Sequence, residues 1–285
     1  MKKKTVAMAG ASGLIGTYLS GYLKGYDIRK ISRNDYLIKD EDFAAKYRET
    51  DFVINLSGAP IIRRWTKRNK KEIMDSRILT TRKLGCIMEK YSYRERLYIS
   101  ASAIGIYNDK DVHTEDSDAW GTGFLAEVVR KWEKEVRKLE STSTKVCIIR
   151  TGVVLTASGG MLGRLLPFFR IGLGGRIGRG SQYFSWIHIK DIARAIAYIL
   201  EHKQSGIYNL TAPGYCTNRE FTKLLGNTVK RPAHFIIPKI LFRLLYGQGA
   251  AVVTGGQAVV PERLIREGFR FEYPRLAEAL EDIVN

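Results

Sequence analysis

Near the start of the chain, Gly10-Ala11-Ser12-Gly13-Leu14-Ile15-Gly16 have the residue types and spacing needed to hold a diphosphate. They follow a short apolar stretch, Lys4 to Ala9, that reads as a buried strand. They also open a segment, Gly13 to Leu23, in which Leu14, Ile15, Leu19 and Leu23 recur at helical spacing. The chemistry depends on that order. The first glycine permits a tight turn, the second lets the backbone approach a pyrophosphate, and the third lets helix and strand pack closely. The helix N terminus adds free N–H groups and the positive end of its dipole. Gly10, Ser12, Gly13, Leu14, Ile15 and Gly16 are therefore the expected phosphate-side contacts of a dinucleotide.

The end of the second expected strand chooses between two dinucleotides. An acidic side chain there would hold the free ribose hydroxyls of NAD. The chain instead reads Ile31-Ser32-Arg33-Asn34. The planar guanidinium of Arg33 suits a 2′-phosphate, and a charge-assisted contact of that kind contributes roughly 1.5–3 kcal/mol. NADP(H) is the expected cofactor. Asp35 would repel that phosphate if it turned inward, and a plain surface cation is the competing reading of Arg33.

Such a turn has to be positioned by alternating strands and helices. Further strands are expected at Tyr26 to Ser32, Phe52 to Leu56, Arg96 to Ser100, Lys145 to Ile149 and Gly206 to Leu210. Helices are expected at Glu41 to Tyr47, from a Thr66 cap to about Tyr91, at Trp120 to Leu139 and at Ile189 to His202. Short apolar strands alternating with helices require crossover connections, so the fold class is α/β with a doubly wound, Rossmann-type parallel sheet. After Arg150 the texture changes. Met161 to Arg170 reads as a helix, whereas Gly172 to Gly180 is too glycine-rich for a helix interior and suggests a hairpin or flexible flap. From Pro232 a small helical segment bears Leu241, Leu244, Leu245 and Tyr246, and the chain ends with Leu276 to Ile283. The expected division is a dinucleotide-binding domain over 1–231, with substrate-side segments around 152–188 and 206–218. A smaller, mainly helical domain over 232–285 completes it.

Composition narrows the classes. The chain has 285 residues, of which 45% are hydrophobic and 27% charged, which is ordinary for a folded globular protein. No apolar run approaches the roughly 18 residues of a membrane helix, so no membrane partner is expected. The opening Met1-Lys2-Lys3-Lys4 has the charge of a leader, but the apolar stretch behind it is short and glycine-broken and reads as a first strand. Cys86, Cys147 and Cys216 are scattered without a CxxC pair, against both a disulfide framework and a structural zinc site. A reducing cytoplasm is the default compartment, and Cys147 reads as a core thiol. The net charge of +18 draws on Arg63 to Lys71 and on Arg94-Glu95-Arg96. It would attract phosphorylated cofactors and acidic substrates. No nucleic-acid motif accompanies it, so nucleic acid is not an expected partner.

Beyond the glycine turn, several motifs occur in order: Asn55-Leu56-Ser57-Gly58, Ser100-Ala101-Ser102, Arg150-Thr151-Gly152-Val153-Val154-Leu155 and Ser185-Trp186-Ile187-His188-Ile189-Lys190-Asp191. Tyr208-Asn209-Leu210-Thr211-Ala212-Pro213 and Gly255-Gly256-Gln257 follow. Together they resemble the sugar-nucleotide epimerase-like branch of the atypical, extended short-chain dehydrogenase/reductases, over essentially the whole chain. The resemblance implies that Leu56, Ser57 and Gly58 lie along the cofactor ribose and pyrophosphate. It also implies that Ser100 and Ala101 face the nicotinamide ribose and that Arg150, Gly152 and Val153 border the nicotinamide.

The resemblance also exposes a loss. Members with established chemistry use a serine, a tyrosine and a lysine, the last two four residues apart on the helix after the fourth strand. Residues at that spacing share a helix face, so the lysine lowers the tyrosine's pKa and reaches the ribose. Here either register places apolar residues in both slots, Phe124 with Val128 or Leu125 with Val129. Ser102 is the serine equivalent. A positioned acid or base contributes about 10²–10⁴ in rate, so a substitute is needed for ordinary alcohol–ketone chemistry. The candidates are Tyr107, Glu127 with Lys131, and His188, against the blander readings of packed aromatic, exposed ion pair and structural histidine. Two functions remain. One is an NADP-dependent oxidoreductase or epimerase/dehydratase, monomer or homodimer, with a small substrate that Arg176 and Arg179 would hold if it is anionic. The other is a non-catalytic NADP(H)-binding redox sensor or scaffold.

Overall fold

In the computed structural model the described residues are 3–90, 96–141 and 144–284. Met1 and Lys2, the Tyr91 end of the long helix and the Arg94-Glu95 part of the second basic stretch lie outside them. Six strands form one parallel sheet in the order Gly206–Leu210, Lys145–Thr151, Leu97–Ala103, Phe52–Asn55, Thr5–Ala9, Asp27–Ile31. The chain starts at Thr5–Ala9, steps outward to Asp27–Ile31 and then returns to the other side at Phe52–Asn55. That reversal is where a doubly wound sheet opens a crevice for ligands.

The pleat divides the apolar residues between two layers. Val6 and Met8 pack with Leu19 of the helix Leu14–Tyr22 and with Ile192 and Ile196 of the helix Ile189–Glu201. Ala7 and Ala9 face Phe43, Leu84, Trp132 and Val136, from the helices Asp40–Lys46, Lys67–Lys90 and Gly123–Arg137. Thr66 caps the long helix, its hydroxyl accepting from the Asn69 N–H at 3.2 Å.

Two expectations need correction. Gly172 to Gly180 is not a hairpin: Gly175–Ile177 pairs in parallel with Phe235–Ile237, far along the chain. A Cβ on Gly175 would lie 2.5 Å from the Phe235 carbonyl oxygen, so its lack of a side chain serves this close pairing. The amphipathic helix starts at Gly123 rather than Trp120, because Trp120 bridges Tyr107 and Gly123 takes a φ of +84°.

Residues near the end of the chain bury their apolar side chains among earlier ones. Leu276, Ala279 and Leu280 of the helix Leu276–Val284 share a cluster with Leu155, Leu162, Trp186 and Phe221. Asp191, fully buried, anchors the approach to that helix by accepting from the Glu272 and Tyr273 N–H groups at 2.8 and 2.9 Å.

Candidate functional site

The glycine turn has the close packing that its spacing predicts. Gly10 takes a φ of +78°, and a Cβ on it would lie 2.6 Å from the carbonyl carbon of Leu56. On Gly16 it would lie 2.2 Å from the Gly10 carbonyl oxygen. Gly13 donates to that same oxygen at 3.0 Å, and Thr17 to the Gly13 carbonyl at 2.9 Å. The helix Leu14–Tyr22 begins with no side-chain cap and no acidic residue in its first turn. The N–H groups of Leu14, Ile15 and Gly16 precede the first intrahelical bond and remain available to an anion, and Ser12 is exposed beside them. A cradle shaped this way, closed to side chains and lined with donors, fits a dinucleotide pyrophosphate.

The neighbouring strand end is built around Asn55. Its Oδ1 accepts from the Ser57 N–H at 3.1 Å, and its Nδ2 donates to Thr81 Oγ1 at 3.1 Å and to the Tyr98 hydroxyl at 3.3 Å. Leu56 and Ser57 are half-buried and Gly58 is exposed. Under Gly58 lies Arg77, whose Nη2 would sit 2.9 Å from a Cβ on that glycine. Arg77 donates to the carbonyls of Ile73 and Ala59 at 2.9 and 3.3 Å and lies over the Trp132 ring at 5.3 Å. Among the described residues it has no carboxylate partner, and burial pulls its pKa down to about 10. Its guanidinium ties the loop at Gly58 and Ala59 to the helix Lys67–Lys90. The sequence reading missed it because an arginine inside a long basic helix carries no local mark.

Arg33 is exposed at the end of the second strand, free of ion pairs among the described residues. Asp35 forms no ion pair with it and bonds instead to Ser32 and Lys46. Burial raises the Asp35 carboxyl, but hydrogen bonds from Lys46 and from the Ser32 hydroxyl and N–H outweigh it and bring the pKa down to about 2. The carboxylate is thus committed to Ser32, the residue next to Arg33, and to Lys46.

At the ends of the fourth and fifth strands of the sheet, Ala101, Gly152 and Val153 are half-exposed, whereas Ser100, Ser102 and Arg150 are buried. Ser100 donates to the Ala101 carbonyl at 3.1 Å. Ser102 and Asn209 flank Arg150 in direct register on adjacent strands. Arg150 holds Glu133 through Nε and Nη2, 2.8 Å each, and donates from Nη1 to the Tyr107 hydroxyl at 2.7 Å. Ser102 donates to the same Glu133 at 2.6 Å. The Tyr107 hydroxyl lies 3.0 Å from Asn209 Oδ1, and its ring stacks on His113 at 4.7 Å. Burial raises the Tyr107 pKa further than Arg150 and Asn209 lower it. The structure therefore brings Ser102, Tyr107 and Arg150 together, but in a closed network with their polar atoms already committed.

The other proposed substitutes lie elsewhere. Glu127 and Lys131 form a 2.6 Å ion pair with both side chains about half exposed, and neither joins Ser102. His188 is buried against Tyr273, accepts from the Lys190 N–H at 3.2 Å, and has Nε2 3.3 Å from Asp282. The residues expected at the tyrosine and lysine positions make packing contacts: Phe124 meets Trp65 at 4.9 Å, Leu125 faces Gly105, and Val128 and Val129 are buried. Arg179 is exposed, and Arg176 points towards the helix Asn218–Thr228. Glu133 was missed because a glutamate on an amphipathic helix reads as surface. No group of three or more metal-ligating side chains occurs among the described residues, and no helix there is long and apolar enough to cross a membrane.

Known proteins share this architecture. The family described as NAD dependent epimerase/dehydratase matches residues 6–211, and a domain of unknown function matches residues 237–283. An epimerase family protein of Mycobacterium bovis is 37% identical over 295 residues, covering 98% of this chain and 97% of that protein. The crystal structure of human epimerase family protein SDR39U1 with NADPH superposes with a TM-score of 0.91 at 32% identity, covering 98% of each chain. The UDP-glucose 4-epimerase of Thermus thermophilus, in complex with NAD, shares the fold at 17% identity, with a TM-score of 0.75 over 98% of this chain and 97% of that one. With its glycine turn and switch-point crevice, the chain is an atypical short-chain dehydrogenase/reductase belonging to the NAD dependent epimerase/dehydratase family.

Proposed function

We propose that the protein binds NADP(H) in the Gly10–Gly16 crevice and acts as an oxidoreductase on a small carbonyl or nucleotide-linked substrate, without a tyrosine proton donor. The observation that carries this reading is the cradle itself, where Cβ atoms on Gly10 and Gly16 would collide with backbone at 2.6 and 2.2 Å. Exposed Arg33, in no ion pair among the described residues, supports the phosphorylated dinucleotide, as does the NADPH in the human relative's crystal structure. Bound NADPH supplies a hydride from its nicotinamide ring. The protein's part is to hold the diphosphate on the Leu14, Ile15 and Gly16 amides, engage the 2′-phosphate with Arg33 and place the ring beside Ala101, Gly152 and Val153. A reducing cytoplasm suits its three free thiols.

Calorimetry tests the binding: saturable heat with NADPH, and at least about tenfold less affinity for NADH, are expected from the Arg33 contact. No heat with either dinucleotide overturns the reading. Turnover is tested by following nicotinamide absorbance across a panel of carbonyls and nucleotide-sugars. A second reading, a non-catalytic NADP(H) sensor or scaffold, is favoured by one observation: the Ser102 and Tyr107 hydroxyls are buried and already hydrogen-bonded. It expects no turnover and a partner or oligomer contact that differs between NADP and NADPH; a contact indifferent to redox state rejects it.

A further inference from the structure

We propose that a second cleft, remote in sequence from the dinucleotide turn, binds a small multiply phosphorylated anion. The cleft, about 850 Å³, lies between the strand Gly175–Ile177, the helix Asn218–Thr228 and the turn that follows it. Its charged lining is Arg176, Arg219, Lys223, Lys230 and Arg231, with His234 beside them and no carboxylate. None of the five cations forms an ion pair among the described residues. It shares no residue with the Gly10–Gly16 turn or with the strand ends described above.

The dipole of the helix Asn218–Thr228 favours Lys230 and Arg231 at its C-terminal end, but local structure does not explain Arg219 or Arg176. Arg219 occupies the first turn of its helix, where a positive charge opposes the dipole. Arg219 donates to the Arg179 carbonyl at 3.0 Å, a single bond for a five-donor group. Lys223, four residues on, shares its face. Lys230 adopts a φ of +54°, a left-handed conformation in which glycine would be the less strained residue, and its N–H donates to the Asn227 carbonyl at 3.0 Å. Arg176 keeps its Nε buried without a hydrogen-bond partner. The placements of Arg219 and Arg176 converge with Lys223, Lys230 and Arg231 on one concavity, and mutual repulsion adds to their cost. An anion carrying several linked phosphoryl groups would pair with these five cations together, since guanidinium and ammonium groups both bond phosphate oxygens. The volume lies in the range of small-molecule sites.

The test is calorimetry on the full chain saturated with NADPH, so that the dinucleotide crevice cannot take the probe. Sodium tripolyphosphate is expected to bind one to one at physiological salt. Lys223→Glu and Lys230→Gly should each weaken it about tenfold or more, with NADPH affinity unchanged. Lys230→Gly should also raise the Tm by relieving the left-handed lysine, so loss of the fold cannot account for weaker binding. A nucleoside triphosphate tighter than tripolyphosphate would identify a nucleotide as the source of the phosphates. Equal affinity would identify a free polyphosphate. Either supports the site. Absence of saturable heat, heat that vanishes at physiological salt, or unchanged affinity in both variants would overturn it. So would a single-stranded RNA that outcompetes tripolyphosphate under the same conditions.

Discussion

Glu133 is buried on the same helix as Val129, Trp132 and Val136, and it is tolerated there because Arg150 and Ser102 meet it with three hydrogen bonds. Removing one member of a buried ion pair leaves the other charge in a medium that solvates it poorly, which costs about 3–5 kcal/mol. Glu133→Ala is expected to lose that much in chemical denaturation, and Arg150→Met a similar amount. The double variant Glu133→Leu with Arg150→Met should recover most of the loss, because no unpaired charge remains. A double variant as unstable as the sum of the singles would show that packing, not the charge pair, is at stake. Asp35 makes a separate case. Its carboxyl titrates at about 2 when folded, against 3.8 for a free aspartate side chain, so the stability it contributes is complete above about pH 4 and is lost as pH falls towards 2. Asp35→Asn should cost about 1–2 kcal/mol at neutral pH and flatten the acid limb of the stability profile within that window. An unchanged acid limb would refute the assignment.

At the scale of elements, the helix Leu14–Tyr22 and the turn before it can be separated by one methyl group. Gly13 has a φ of −76° that any residue adopts, and a Cβ there approaches only the Gly10 carbonyl oxygen, at 3.2 Å. Gly13→Ala should therefore change stability by less than about 1 kcal/mol, yet it would set a methyl beside the amides meant for the diphosphate. NADPH affinity is expected to fall tenfold or more, about 1.4 kcal/mol for each factor of ten. Full affinity in that variant would mean that the phosphates lie elsewhere. This turn was legible in the sequence because its partners are adjacent: strand, glycines and helix lie within Thr5–Tyr22. Gly175–Ile177 was not, since its strand partner Phe235–Ile237 lies far along the chain and no local periodicity reports it. The Gly123–Arg137 helix was legible from its apolar stripe. Its buried Glu133 was hidden, since the partner that makes burial tolerable comes from the strand Lys145–Thr151. Arg77 stayed hidden for the same kind of reason, its meaning lying in the loop above it rather than in its neighbours along the helix.

Across the whole molecule, the end of the chain is tied to the dinucleotide turn through a short series of contacts. Leu276 and Leu280 pack in one cluster with Leu162 and Leu166 of the helix Gly160–Arg170. Cβ atoms on Gly159 and Gly160, where that helix begins, would sit 3.1 and 3.2 Å from the side chain of Leu14, inside the glycine turn. The C-terminal helix is held in place by Asp191, which accepts from two backbone N–H groups and from Arg194 at 3.1 Å. Lys190 adds a 2.7 Å pair to Asp282. If these contacts transmit stability, a ligand at the turn must protect the chain end, and loosening the chain end must weaken the ligand by the same factor. Saturating NADPH is expected to slow amide exchange over 276–284. Asp191→Ala should speed exchange there, and couplings of this kind, typically about 1–3 kcal/mol, would lower NADPH affinity about fivefold or more. Exchange over 276–284 that ignores NADPH, with unchanged affinity in Asp191→Ala, would show that the turn and the C-terminal helix fold as neighbours without acting on each other.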